Sequence, residues 1–409
     1  MACIGSSRLC AHVERLCQFG HFAQLRRKVS TTTCVKSRPP IISRTDGAQL
    51  LHCQNKTNTR DSRIGLARAT STMQTQMPGS LHDYQIDPYR LVEDEIKDMF
   101  DDIRLELANH TAYEEMLTIS TYYFDGQGKA IRPMFTMLMA RAINYHNGRN
   151  VLLQTQRQIA MIAEMIHSAS LLHDDVIDQS DIRRGKPSVN VMWSQKRVAM
   201  AGNYILAVAC TMLSRIRNDD VTITISQIVS DLVQGEFMQL GSKETENERF
   251  AHYLTKTYRK TASLIANCVK AVAILSEVDD RTIEMAFQYG RNVGLAFQLV
   301  DDLLDFVASS SAMGKPTAAD LKLGLATAPV LFACEQYPEL NAMIMRRFQE
   351  PGDVEKAFDL VHKSNGLEQT RFLAKKHCVE ANKIAQSFTK SPYQRALIHM
   401  TDLVINRMK

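Results

Sequence analysis

Six aspartates in two short clusters carry the densest chemistry in this chain. Asp174-Asp175-Val176-Ile177-Asp178 and Asp301-Asp302-Leu303-Leu304-Asp305 share one spacing, two adjacent carboxylates and a third three residues later. Both interrupt apolar stretches with helical spacing: Met165, Ile166, Ala169 and Leu172 lead into the first, and Val293, Phe297, Leu299 and Val300 into the second. That spacing predicts buried helices. At about 3.6 residues per turn, Asp174 and Asp178 project within roughly 40° of each other, as do Asp301 and Asp305. Like charges so placed repel, and an unpaired buried carboxylate carries a penalty on the order of several kcal/mol. A hard divalent cation removes the difficulty. Mg²⁺ takes oxygen ligands and is commonly shared between one or two carboxylates and the phosphates of a substrate. The pattern therefore predicts a metal-bound phosphate or diphosphate. One copy of so short a motif also fits a solvated helix face; two copies in apolar helices argue against that reading.

Cations accompany the carboxylates. Arg183-Arg184-Gly185-Lys186-Pro187 follows the first cluster, where Gly and Pro break the helical pattern. Upstream, Gly126-Gln127-Gly128-Lys129-Ala130-Ile131-Arg132-Pro133 is a glycine-rich lead-in to another helix, with Lys129 and Arg132 three apart on one face. Arginine bonds phosphate oxygens in pairs, and lysine adds a mobile point charge. Each alone reads as surface charge; together they point to ligand binding.

With these residues in place, the chain resembles the trans-isoprenyl diphosphate synthases over roughly 81–409. The resemblance rests on six ordered motifs: Gly128-Lys129-x-x-Arg132-Pro133; Glu164-Met165-Ile166-His167 through His173-Asp174-Asp175; Arg183-Arg184-Gly185; Lys260-Thr261-Ala262-x-Leu264; Gly294-x-Ala296-Phe297-Gln298 through the second cluster; and Gly314-Lys315-Pro316. Further segments, including Gln239-Leu240-Gly241 and Asp320-Leu321-Lys322-Leu323-Gly324-Leu325, resemble the long-chain animal branch that makes the ubiquinone side chain and works as one of two unlike subunits. The resemblance implies an all-α fold, a large helical bundle of the isoprenoid synthase type with a central cavity between two aspartate-bearing helices. It implies Mg²⁺ held chiefly by Asp174, Asp178 and Asp301, with Asp175, Asp302 and Asp305 as further ligands or supports. Isopentenyl diphosphate is expected at Lys129, Arg132, His167 and Arg184. A farnesyl or geranylgeranyl diphosphate is expected at Arg183, Lys260, Thr261, Gln298 and Lys315, with Lys260 and the six aspartates forming the catalytic set. The implied activity is a prenyltransferase that adds isopentenyl units to the allylic diphosphate to reach decaprenyl or nonaprenyl length, and the implied partner is a second polyprenyl diphosphate synthase subunit.

His167 stands seven residues before Asp174, two turns back on nearly the same face. A product chain running back along this helix would pass Ala169 and Ser170, then Ile166. Small residues at the first two positions predict a product well beyond fifteen carbons; the plainer reading is close helix packing. Two positions depart from the family pattern. Ala201-Gly202-Asn203 has an amide where an aspartate is usual, and Gly324-Leu325 lacks the usual lysine, a lost cation near the allylic site.

The elements that must position these groups read as helices over Tyr89 to Phe100, Met134 to Ile143, Gln158 to Ile177, Arg197 to Ile216, Val221 to Leu240 and Met285 to Val307, with few segments suggesting strands. At 45% hydrophobic and 23% charged over 409 residues, the composition is that of a globular protein with an extensive core. The first eighty residues stand apart. They hold twelve Lys or Arg against three acidic residues, a formal +9 where the whole chain is +5, so the remainder carries −4. Their Arg, Ser and Thr content predicts a mitochondrial transit segment over 1–80, ahead of a catalytic domain over 81–409. Residence in the matrix, possible association with the inner membrane, and loss of a basic arm that would otherwise suit nucleic acid all follow from it. Cys210, Cys268, Cys334 and Cys378 show no metal-ligand or disulfide spacing. No uninterrupted apolar run of about 18 residues is present, and Val198 to Leu213 reads as core. A long polyprenyl product still favours contact with a membrane surface. A terpene cyclase would need no second diphosphate site, and a non-catalytic partner subunit would tolerate eroded aspartates; all six are kept here.

Overall fold

The computed structural model describes residues 86–126, 130–241, 248–307 and 318–407. The expected transit segment 1–80 and two predicted phosphate-binding lysines, Lys129 and Lys315, lie outside the described residues.

Apolar periodicity becomes helix nearly throughout. The first stretch, Tyr89 to Phe100, is not one helix but three short ones, Pro88–Leu91, Glu93–Lys97 and Met99–Asn109. The breaks fall at Val92 and Asp98, whose backbone leaves the helical region. Helix α1, Ile131–His146, follows Ala130 in a left-handed conformation and buries Met134, Phe135, Met137, Leu138 and Met139. Helix α2, Gln154–Ile177, carries the first acidic cluster and at 24 residues spans about 36 Å. Buried polar groups tie the two together: the Asn144 amide donates to Gln156 Oε1 at 2.8 Å, and Gln156 Nε2 donates to Ser276 Oγ at 2.8 Å. Such a network holds register only because its members satisfy one another.

Past α2 the chain makes a small antiparallel hairpin, β1 Ile182–Arg183 with β2 Lys186–Pro187. Arg184 and Gly185 both take positive φ, 53° and 76°, as a two-residue hairpin turn of this twist requires. Helices α3, Gln195–Ile216, and α4, Asp219–Gly241, come next. Helix α5, Arg249–Thr257, runs through one π turn, Tyr258–Ala262, into α6, Ser263–Leu275. Helix α7, Asp280–Val307, carries the second cluster. Four short helices between 319 and 363 precede α8, Gly366–Ser387, and α9, Pro392–Asn406.

Helix α6 is apolar on nearly every side, as a central helix must be. It packs against α1, α2, α4 and α7, while α7 also lies along α8. Glycines permit the closest approaches. A Cβ at Gly294 of α7 would sit 2.5 Å from Ala262 Cα in the π turn, and one at Gly202 of α3 would sit 2.4 Å from His173 Nε2. A satellite core of Phe306, Leu321, Val330, Leu340, Met343 and Val361 holds the C-terminal end of α7 against the short helices.

Helix α3 differs from expectation. By length and composition it could cross a membrane, yet only one side, including Val198, Ile205, Val208 and Met212, is buried against protein. Its other side leaves Met200 and Cys210 exposed. Asn203 is on that outer side as well, so its missing carboxylate changes an exposed surface rather than the interior.

Candidate active site

Helices α2 and α7, with the π turn between α5 and α6, enclose a polar chamber of about 510 Å³. Asp174, Asp178, Asp301, Asp302 and Asp305 line it together with Arg132, His167, Arg183, Lys260, Thr261 and Gln298. Residues far apart in the chain thus meet on one wall. The π turn is part of the reason: an extra residue in the helical turn shifts the register locally. Lys260 and Thr261 fall within it and reach the chamber beside Tyr253 and Lys256 of α5.

The three aspartates of each cluster are not equivalent. Asp175 is fully buried and both its oxygens are engaged: Arg183 donates to Oδ1 at 2.9 and 2.5 Å, and the Tyr123 hydroxyl donates to Oδ2. Of the roles open to Asp175, ligand or support, this geometry favours support, because no oxygen is left facing the chamber. Asp302 repeats the arrangement, accepting from the Tyr253 hydroxyl and from Gln298 Nε2 at 2.9 Å. Gln298 Oε1 in turn accepts from the Thr261 hydroxyl at 2.8 Å. Asp305 accepts from the Ala319 and Asp320 amides at 3.0 and 3.1 Å and so clasps the turn after the second cluster.

Asp174, Asp178 and Asp301 line the chamber as well. Burial pushes the Asp174 carboxyl up to about 6, opposed by the Lys260 ammonium and reinforced by Glu236 and Asp178. Asp178, the C-cap of α2, is raised by burial too. Asp301 pairs with Arg407, just past α9, whose guanidinium also stacks 3.9 Å from the Phe297 ring centre. Lys260 Nζ lies 2.5 Å from Glu236 Oε2 and donates to Gln239 Oε1 at 3.1 Å.

Donors that are all carboxylate oxygens, strained by burial and mutual repulsion, suit a hard divalent cation. Among the described residues no three acidic, His or Cys side chains converge tightly enough to hold an ion alone. That fits a cation shared between one or two carboxylates and a substrate's phosphates. Asp174, Asp178 and Asp301, which line the chamber, could share such an ion.

A second group of charges adjoins the first. Burial holds the His167 imidazole well below its ordinary range, and Arg132, Arg184 and Arg183 push it the same way. It is therefore neutral and surrounded by guanidinium groups. Arg132 Nε is buried without a hydrogen-bond partner. Arg184 is exposed on the hairpin turn, within electrostatic reach of Arg132 and Glu164. An anion is what such a cluster of cations would accept. His173, by contrast, turns away to the Ala199 carbonyl at 3.3 Å.

Beyond Asp174 and Ser170 the chamber continues into an apolar one of about 290 Å³, walled by Ile166, Ile177, Leu206, Val229, Leu232, Val233 and Phe237. At Ile166, Leu206 and Val229 this meets a further apolar chamber of about 270 Å³ between α2, α3 and α4, reaching Leu213 and Ile225. Ser170 and Ile166 stand on the wall of the first apolar chamber. Ala169 is wholly buried and, about 100° round the helix from Ser170, outside the residues that line it.

Sequence reasoning missed Tyr123, Tyr253, Glu236, Lys256 and Arg407. The two tyrosines reach their aspartates across 52 and 49 residues, with nothing local to mark them. Only Lys256 carried a signal, its i, i+4 spacing to Lys260.

A bundle of helices that sets two acidic clusters and a basic rim around a polar chamber, with an apolar tunnel behind, defines a class of enzyme built for diphosphate esters of apolar chains. The chain belongs to the polyprenyl synthetase family, which it matches over residues 113–361, and it is a prenyltransferase of that family. It is 54% identical over 324 residues to the all trans-polyprenyl-diphosphate synthase of Homo sapiens, covering 79% of this chain and 78% of that protein. It is 41% identical over 345 residues to decaprenyl-diphosphate synthase subunit 1 of Schizosaccharomyces pombe, covering 78% and 91%. Among solved structures, the polyprenyl synthase of Caulobacter crescentus complexed with calcium and isoprenyl diphosphate superposes with a TM-score of 0.71 at 28% identity, over 79% of this chain and 97% of that one.

Proposed function

We propose that this chain is the catalytic subunit of a mitochondrial long-chain all-trans-polyprenyl diphosphate synthase, using Mg²⁺ to extend farnesyl or geranylgeranyl diphosphate to decaprenyl or nonaprenyl length for the ubiquinone side chain. The observation that carries this reading is the continuity of the polar chamber at Asp174 and Ser170 with two apolar chambers behind it. A diphosphate fits the first, and a growing hydrocarbon fits the others.

In this reading a bound Mg²⁺ supplies positive charge to the leaving diphosphate. Arg183, Lys260, Thr261 and Gln298 hold that diphosphate in place, and Lys260 adds charge where the leaving oxygen turns negative. Arg132, His167 and Arg184, with Lys129, hold isopentenyl diphosphate; the neutral His167 donates a hydrogen bond without adding to the crowd of cations. The allylic carbon–oxygen bond breaks, and the double bond of isopentenyl diphosphate attacks the resulting carbocation to form the new carbon–carbon bond. Holding both partners in one chamber makes that encounter effectively intramolecular. By analogy with the family, the proton then lost passes to the departed diphosphate. Residues 1–80 would direct import and be removed, leaving 81–409 as the catalytic domain. A second, unlike subunit would complete the active assembly, and the hydrophobic product would bring it to a membrane surface.

The test is product analysis after co-expression with a candidate second subunit, using labelled isopentenyl diphosphate and Mg²⁺. The expected product is a labelled diphosphate well beyond fifteen carbons, abolished by chelation and restored by added Mg²⁺. Hydrocarbon formation independent of isopentenyl diphosphate would instead identify a cyclase and overturn the proposal.

A further inference from the structure

We propose that Lys256 binds the diphosphate of the allylic substrate, supplying from α5 the positive charge missing at Leu325. The inference rests on the function proposed above and adds a binding residue to it.

Lys256 and Leu325 line the same chamber, together with Tyr253, Lys260 and Thr327. Lys256 is four residues before Lys260, so the two ammonium groups share one face of the helix that runs into the π turn. It is half-buried, yet its Nζ makes no hydrogen bond or ion pair among the described residues, and it lies over the Tyr253 ring, 5.9 Å from Nζ to the centre. Burial and the neighbouring Lys260 disfavour its charge, while Asp302 and Asp320 favour it. A half-buried ammonium without a direct partner is costly, and an incoming phosphate oxygen would relieve it with a charge-assisted bond. Thr327 offers an independent sign of a ligand in this corner. It is 5% exposed, and its hydroxyl is buried against the same chamber with no hydrogen-bond partner. Leu325 lines the same chamber and brings no charge to it.

A purely structural role, in which Lys256 only balances Asp302 and Asp320, predicts a different pattern of effects. The experiment compares wild type, Lys256→Met, Leu325→Lys and the double variant, each as the full chain with its partner subunit. Under the proposal, Lys256→Met raises KM for the allylic diphosphate about tenfold or more and leaves KM for isopentenyl diphosphate within about twofold. Leu325→Lys, placed in the Lys256→Met background, restores most of the lost affinity. Equal effects on both substrates, or an allylic KM that does not move, overturn the proposal. Should turnover fail even in the wild type, which would count against the proposed function itself, calorimetric binding of a non-reacting farnesyl thiodiphosphate decides the question separately. Weaker binding to Lys256→Met and Lys256→Gln than to wild type supports the assignment, and equal binding refutes it.

Discussion

At the residue scale, each acidic cluster divides its labour: the middle aspartate is locked by a tyrosine from another element while the first faces the chamber. Tyr123→Phe would leave Asp175 Oδ2 buried without its donor, and loss of such a partner costs about 1–3 kcal/mol. Chemical denaturation is expected to show that loss, with an unchanged m-value. The tunnel wall gives a sharper contrast between neighbours. Ser170→Phe places a ring in the apolar chamber and should shorten the product, read as chain length by chromatography. Ala169→Phe forces the same ring into packed protein instead, and overpacking of this kind costs about 1–3 kcal/mol, so a lower Tm rather than a shorter product is the expected result. The aspartates were legible because their spacing is local and their burial needs a cation. Tyr123 and Tyr253 were not, since a tyrosine in an apolar stretch looks like any core aromatic until the fold brings its hydroxyl to a carboxylate. Asn203 could not be placed from sequence either: it follows Gly202, which packs on His173, yet is itself exposed.

At the element scale, the site depends on how closely α7 meets the π turn. Gly294 is the contact, and Gly294→Ala would set a Cβ 2.5 Å from the Ala262 backbone, where no flexible side chain can yield. The helices must part, drawing Gln298 from Thr261 and, through it, loosening Asp302. Destabilisation of about 1–3 kcal/mol and a raised KM for the allylic diphosphate are expected together; a variant with normal kinetics and normal stability would contradict this account. Long helices were readable from apolar periodicity because each packs one side on the core. The π turn was not, because a single wider turn leaves the pattern of three and four almost unchanged. The hairpin after α2 was readable only as a break at Gly185 and Pro187; that Arg183 returns to Asp175 depends on the two positive φ angles at its tip.

At the scale of the whole molecule, pH should act through packing far from the chamber as well as within it. His377 of α8 bonds Asn292 of α7 at 2.8 Å, and burial, with Arg291 and Lys376 nearby, holds its imidazole down at about 4 from an ordinary 6.5. Between those values the unfolded chain takes up a proton that the folded chain refuses. The stability this contributes is therefore fully present above pH 6.5 and is lost as pH falls toward 4. Urea denaturation at pH 7 and pH 4.5 should differ by about 2 kcal/mol on this account, and His377→Gln should remove that part of the difference. Such long-range pairings, 85 residues apart in the chain, cannot be read from spacing. The same holds for Arg407, which pairs with Asp301 and stacks on Phe297. Its position has a practical bearing on how the protein is handled. A purification tag or reporter fused behind residue 409 would be tethered at the doorway of the chemistry.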